Sequence, residues 1–329
     1  IIYIYIMSYN FKQLNYQIFN NGNTLLLDNY HHFKYKTKDI LNLINSENTL
    51  TDNLMSDMET TQNNIYNELK SYLVESYSTH PIPMNLNGWS SKYKYYKRFE
   101  EGKSYPIYCR KSINEEILLD ENLLSEGKSF FSLSSFTVSK DDKLMCYGLD
   151  LKGDELYELK LINIETKEEI KHNIPKIQYS VYELIGNVVY YLNSNEKNRL
   201  FELYKYNLTT NINEKLYEEK NEKYELSISV SNDNKYLFLN VYSFNNNEIY
   251  YINLLTNEMK LFLKRKKNHL YNISYRNELF YIVTNKDNST NFKVMYCIES
   301  DTTNWIEYIK YDENITITNL IEMKNYLLI

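Results

Sequence analysis

Alanine is absent from the 329-residue chain, and glycine (seven), proline (four) and cysteine (three) are scarce. So little glycine and proline excludes a collagen-like or linker-dominated protein. Cys109, Cys146 and Cys297 lie far apart, form no C-x-x-C and are odd in number. They exclude a disulfide framework and fit a reducing compartment, which places the protein in the cytoplasm. No run approaches the roughly 20 apolar residues of a membrane span. The apolar opening from Ile1 to Met7 lacks the basic lead of a signal peptide. Thirty-seven basic against 43 acidic residues leave a net charge of -6, which argues against a broad nucleic-acid surface. The one basic cluster, Lys264-Arg265-Lys266-Lys267, reads as a solvated loop or sheet edge.

What the chain does contain divides near residue 85. Over residues 38 to 79, Ile40, Leu41, Leu43 and Ile44 share one turn, and Ile65, Leu69, Tyr72 and Leu73 recur at three- and four-residue spacings. That spacing predicts two helices. After Pro81 and Pro83 the pattern turns to alternation, so the expected division is a helical N-terminal extension over 1–85 and a β-domain over 86–329.

The β-region repeats one unit, a short apolar strand, a polar turn and a second apolar strand. The pairs are Tyr93–Arg98 with Tyr105–Arg110, Lys143–Leu149 with Tyr157–Ile164, and Asn187–Leu192 with Leu200–Asn207. Lys235–Tyr242 with Ile249–Leu254 and Glu278–Val283 with Phe292–Ile298 complete the five. From the second pair onward the first strands start at 143, 187, 235 and 278, a period of about 45 residues, which is blade length. Ser139-Lys140-Asp141-Asp142-Lys143 echoes Ser231-Asn232-Asp233-Asn234-Lys235, each leading into a first strand and followed by an acidic residue, Glu155 or Glu248, and by Tyr157 or Tyr250. Asp and Asn suit such a turn because they accept backbone hydrogen bonds. Units of this kind cannot bury both faces alone, which is the signature of a β-propeller. A further strand near Asn325 opens a sixth unit, so a fragment of a longer protein is expected rather than a complete five-bladed ring.

No constellation for chemistry stands out. Gly88-Trp89-Ser90, Gly102-Lys103-Ser104 and Gly127-Lys128-Ser129 lack the closing glycine of a nucleophile elbow. Neither Gly-Lys-Ser has the earlier glycine of a phosphate-binding loop. His31 and His32 lack a third ligand, and His80, His172 and His269 are isolated. Glu100-Glu101, Glu115-Glu116 and Glu218-Glu219 read as solvated turns. The expectation is therefore no catalytic, cofactor-binding or metal-binding residue in this chain, and no cofactor.

Several stretches in register carry a family resemblance. Asp28-Asn29-Tyr30-His31-His32-Phe33 is similar to a D-x-Y-x-W-L stretch, with His32 and Phe33 departing from it. Ile40-Leu41-Asn42-Leu43-Ile44-Asn45-Ser46-Glu47-Asn48 is similar to V-L-x-Y-L-E-x-E-N. Tyr95 to Arg98, Glu101 to Arg110, Glu115 to Asp120, Asn122, Glu126-Gly127, Ser139 with Asp141, Gly153-Asp154-Glu155 and Phe280 to Asp287 with Asn291-Phe292 follow in order. Together they resemble the oligopeptidase B group of the prolyl oligopeptidase family of serine peptidases.

The resemblance implies a mainly β fold, an incomplete seven-bladed β-propeller of about five blades and the start of a sixth behind a helical extension. It also implies an α/β-hydrolase domain, absent from this chain, that carries the catalytic Ser, Asp and His. The full-length parent is then expected to be a serine endopeptidase cutting short peptides after Arg or Lys, with the propeller gating access and this chain alone inactive. The implied partners are short basic oligopeptides and the hydrolase domain of the same polypeptide, with neither nucleic acid nor membrane. The rival readings are a non-catalytic propeller scaffold for a protein or peptide partner, and a carbohydrate-active propeller, for which no paired carboxylates are evident.

Overall fold

The computed structural model describes residues 16–20, 24–28, 30–83, 92–322 and 326–329. The chain parts into two compact units, Ile1–Val74 and Glu75–Ile329. In the first, a hairpin pairs Tyr16–Asn20 with Thr24–Asp28. Helix α1 (Lys38–Met55) begins at Thr37, whose hydroxyl oxygen accepts from the Ile40 amide at 3.4 Å, a side-chain N-cap that satisfies one orphan donor. A 3-10 turn at Ser56–Met58 leads into helix α2 (Glu59–Ser71), so both expected helices form. Ile40 is buried, whereas Leu41, Ile44, Leu54, Ile65 and Leu69 remain exposed.

Among the described residues the second unit holds five four-stranded antiparallel sheets, each with its strands in chain order. Sheet I is Tyr77–Ser78, Lys94–Phe99, Ile107–Lys111 and Glu115–Asp120. Sheet II is Ser132–Val138, Leu144–Asp150, Leu156–Asn163 and Ile177–Gln178. Sheet III is Tyr182–Ile185, Val188–Ser194, Leu200–Asn207 and Ile212–Glu218. Sheet IV is Glu225–Val230, Tyr236–Tyr242, Asn247–Asn253 and Met259–Leu263. Sheet V is Tyr271–Arg276, Leu279–Thr284, Lys293–Ile298 and Asp301–Ile309. A two-stranded pair, Ile321–Glu322 with Leu327–Leu328, follows. All five expected strand pairs are the two middle strands of a sheet. Tyr77–Ser78 pairs with Lys94–Phe99, so sheet I takes its first strand from ahead of residue 85.

Alternation explains why these sheets stack side by side. Successive side chains on a strand face opposite ways, and in Tyr236–Tyr242 residues Tyr236 and Phe238 join a cluster with Tyr271, Phe280 and Ile282 of sheet V. From the same strand, Leu237, Leu239 and Val241 pack with Tyr190, Leu192 and Leu203 of sheet III. Val189 and Tyr191 face Leu159, Leu161 and Ile177 of sheet II in the same manner. Sheets III and IV are thus buried on both faces by their neighbours, the arrangement of propeller blades.

The paired sequences Ser139–Lys143 and Ser231–Lys235 fold into the same turn. The Ser139 hydroxyl donates to Asp141 at 2.7 Å and accepts from the Leu144 amide at 2.9 Å, and Ser231 does the same with Asp233 and Tyr236 at 2.7 and 2.9 Å. Asp142 and Asn234 adopt left-handed φ of 60° and 57°, a conformation their short polar side chains tolerate. The echo stops at the acidic residue. Glu155 sits exposed in a turn, while Glu248 is buried within a strand.

Candidate functional site

The first strands are innermost, since those of sheets II and III and of sheets III and IV approach one another, while the last strands, such as Ile212–Glu218 and Asp301–Ile309, are largely exposed. The inner strands carry polar residues among apolar ones: Ser132, Ser134 and Ser135 in sheet II, Glu183 in sheet III, Ser227 and Ser229 in sheet IV, Asn272 and Ser274 in sheet V. Between sheets IV and V this face opens into a cavity of about 610 Å³ reached by Ser227, Ser229, Asn240 and Asn272, with Thr316 and Asn319 beyond. Asn247 braces its wall: its amide nitrogen donates to Asn240 at 2.8 Å and to the Tyr271 carbonyl at 2.7 Å, and its oxygen accepts from the Tyr271 amide at 3.0 Å. Uncharged donors and acceptors of this kind hydrogen-bond a peptide without selecting its side chains.

Two features of the inner face stand out, a break in regular pairing and a buried carboxyl. The pairing of Ser132–Val138 with its neighbour slips between Ser134 and Thr137, where Ser135 takes a left-handed φ of 55°. Across from it, Tyr179 and Ser180 take φ of 55° and 54°, and Ser135 Oγ donates to the Ser180 carbonyl at 2.9 Å. The join is tight enough that a Cβ on Gly148 would lie 2.1 Å from Ser180 Oγ. Glu183 is the second. Burial alone raises its carboxyl to about 7, because a charge is costly where water is excluded. Single residues in apolar surroundings carry no sequence signal, and sequence reasoning missed both features; the Gly148 position was the only local hint.

Of the charged groups expected to be solvated, Glu101, Glu115, Glu218 and Lys264 are exposed, whereas Glu116, Glu219 and Arg265 tie sheets together. Glu219 and Glu248 are buried, and Arg265 reaches both, at 3.0 Å and 3.4 Å, with its guanidinium 3.9 Å from the ring centre of Tyr224. Glu219 therefore departs from the expected solvated turn, because the loop after sheet IV returns a cation to it. Glu116 pairs with Arg110 and Lys167, each at 2.7 Å, and Lys235 meets Glu299 at 2.6 Å.

Among the described residues no nucleophile is set against a free base. His172 spends Nε2 on the Leu159 carbonyl at 3.0 Å and Nδ1 on the Ile174 amide at 3.2 Å. His269 Nε2 lies 2.9 Å from Thr284 Oγ1, but that threonine is fully buried and also engages Leu270 and Lys286. Ser104 and Ser129 occupy turns, and Gly88-Trp89-Ser90 lies outside the described residues. Among the described residues no group of three His, Cys, Asp or Glu side chains is placed to hold a metal, and no helix is long and apolar enough to cross a membrane. Cys109, Cys146 and Cys297 are free and buried; burial pushes their thiols up to about 11, 12 and 12, which suppresses the reactive thiolate.

Comparison with known proteins agrees with this geometry. Residues 15–329 match the family described as prolyl oligopeptidase, N-terminal beta-propeller domain. The chain is similar to protease 2 of Moraxella lacunata, 23% identical over 319 residues covering 92% of this chain and 45% of that protein. It is 22% identical to dipeptidyl aminopeptidase BI of Pseudoxanthomonas mexicana, across 86% of this chain and 42% of the relative. Its fold superposes on oligopeptidase B from Leishmania major with a TM-score of 0.83 at 20% identity, covering 90% of this chain and 43% of the other. For Trypanosoma brucei oligopeptidase B with covalently bound antipain the TM-score is 0.81 at 20% identity, with coverages of 94% and 47%. The chain thus spans less than half the length of these relatives.

Proposed function

Since the chain belongs to the prolyl oligopeptidase family and carries its N-terminal β-propeller domain, we propose that it is the access-controlling part of an oligopeptidase B-like serine peptidase that hydrolyses short peptides after Arg or Lys. In this reading acyl transfer takes place on an α/β-hydrolase domain of the same polypeptide, with a serine nucleophile, a histidine base and an oxyanion hole. The propeller contributes exclusion: a ring of rigid sheets admits a flexible oligopeptide and turns away a folded protein, and movement between the two domains times entry and release.

The observation that carries this reading is the pairing of a polar inner face with the lack of any nucleophile–base pair among the described residues. Such a face can pass a peptide but not cut it. The exposed apolar side chains of Leu41, Ile44, Ile65 and Leu69 support a helical extension within residues 1–85 that packs on the hydrolase domain, with the propeller taking in 86–329 and the Tyr77–Ser78 strand ahead of it. Surfaces of this kind mark interaction sites. The three buried thiols support a cytoplasmic setting.

The test is a pair of substrates offered to the whole protein, an arginyl peptide amide of a few residues and the same sequence within a folded domain. The proposal expects cleavage of the first alone. Equal cleavage of both overturns the gating role, and no cleavage after Arg or Lys overturns the specificity.

A further inference from the structure

Between sheets IV and V, on the side away from the inner strands, lies a cleft of about 640 Å³, within the range of small-molecule sites. Lys266 and Lys267 reach it from the loop after sheet IV and Lys286 from the loop after Leu279–Thr284, while Trp305 and Phe262 supply apolar wall. One carboxylate, Asp287, also lines the cleft, and the buried pair nearby is committed elsewhere. Asp287 pairs with Lys293 at 3.1 Å, and Glu219 and Glu248 pair with Arg265. No ion pair engages the three ammonium groups among the described residues; Lys286 Nζ lies 5.2 Å from the centre of the Trp305 ring. Three ammonium groups facing one carboxylate, Asp287, leave this concavity positive in a chain with a net charge of -6, and a low-dielectric wall focuses their field on whatever enters. His269 lines the same cleft; burial first, then Lys266 and Lys286, hold its imidazole below the ordinary value against an opposing pull from Asp287.

The basic cluster of the sequence therefore splits by task. Arg265 turns inward as a structural cation, and Lys266 and Lys267 turn outward to the cleft. We infer that this cleft binds a small anion built on a chain of phosphate groups, such as inorganic tripolyphosphate or a nucleoside triphosphate, through Lys266, Lys267 and Lys286. Lysine suits this ligand as a point charge that needs no fixed bidentate geometry. The volume fits one such molecule, and the acidic remainder of the surface disfavours an extended nucleic acid. Asn268, Asn285 and Thr303, also at the cleft, add neutral hydrogen-bonding groups for phosphate oxygens or a sugar.

The test is isothermal titration calorimetry of the purified protein with sodium tripolyphosphate, ATP and a short oligoglutamate, at low and at physiological salt without divalent metal. Both phosphate probes are expected to bind, and more weakly at higher salt, since screening acts on exposed charges. ATP binding tighter than tripolyphosphate assigns the natural ligand to nucleotides, and equal binding assigns it to inorganic phosphate chains. The double variant Lys266→Gln with Lys286→Gln is expected to lose at least tenfold in affinity with an unchanged melting temperature. Lys264→Gln, outside the cleft, is expected to bind as the parent does. Absence of binding by either phosphate probe at millimolar concentration, equal loss in Lys264→Gln, or oligoglutamate binding as tightly as tripolyphosphate overturns the inference.

Discussion

Glu183→Gln isolates what burial on the inner strand costs. The carboxyl rises from an ordinary 4.5 to about 7 through burial alone. Between those values the unfolded chain gives up its proton while the folded protein keeps it, so the folded state binds more protons and stability falls as pH rises. The contribution is fully present below about pH 4.5 and is lost as pH climbs through about 7. At about 1.4 kcal/mol per pH unit, the whole loss amounts to ~3 kcal/mol. Glutamine keeps the shape and cannot ionise. Relative to the parent, the variant should gain ~3 kcal/mol between about pH 4 and pH 8, or about 6–12 °C in melting temperature for a unit of this size. Urea unfolding of both proteins across this range reads the difference directly. A difference that stays constant with pH would show that Glu183 ionises as easily in the folded protein as in the unfolded chain, and the burial argument would fail.

Further substitutions probe the other features. Gly148→Ala places a methyl group 2.1 Å from Ser180 Oγ and should lower stability by about 1–3 kcal/mol, whereas Gly186→Ala, with no neighbour within 4 Å, should suffer only the cost of its left-handed φ; equal denaturation midpoints would contradict the tight fit. Arg265→Gln leaves Glu219 and Glu248 buried without their cation and should cost about 3–5 kcal/mol, measured by chemical denaturation. Ser231→Ala removes a hydroxyl that serves Asp233, Lys235 and Tyr236, for a loss of about 1–3 kcal/mol; an unaltered midpoint would mean the turn holds without it. Native protein should react slowly with a thiol reagent at neutral pH and give three fast equivalents once unfolded, because Cys109, Cys146 and Cys297 are buried.

The sequence exposes the middle of each blade far better than its edges. Strands such as Leu144–Asp150 and Tyr236–Tyr242 are buried on both faces and read as apolar runs between polar turns, so all five middle pairs were legible to within a few residues. Outer strands such as Ile212–Glu218 meet solvent, and inner strands such as Ser132–Val138 mix serine into the run; neither keeps a clean period. The paired Ser-x-Asp turns were legible because a turn is local chemistry. The link from Arg265 to Glu219 and Glu248 was not, since it depends on three loops and strands brought together by stacking. The same stacking makes the cleft of Lys266, Lys267 and Lys286, which in the sequence is only a basic run and a distant lysine.

The most direct test of the account is the mass of the native polypeptide, read by immunoblot of source cells with an antibody raised against residues 86–329. Coverage of only 45% of protease 2 leads the account to predict a band about twice the 39.7 kDa of this chain, the mass of a propeller joined to its hydrolase. A single band near 39.7 kDa would contradict it and leave a propeller working without a peptidase.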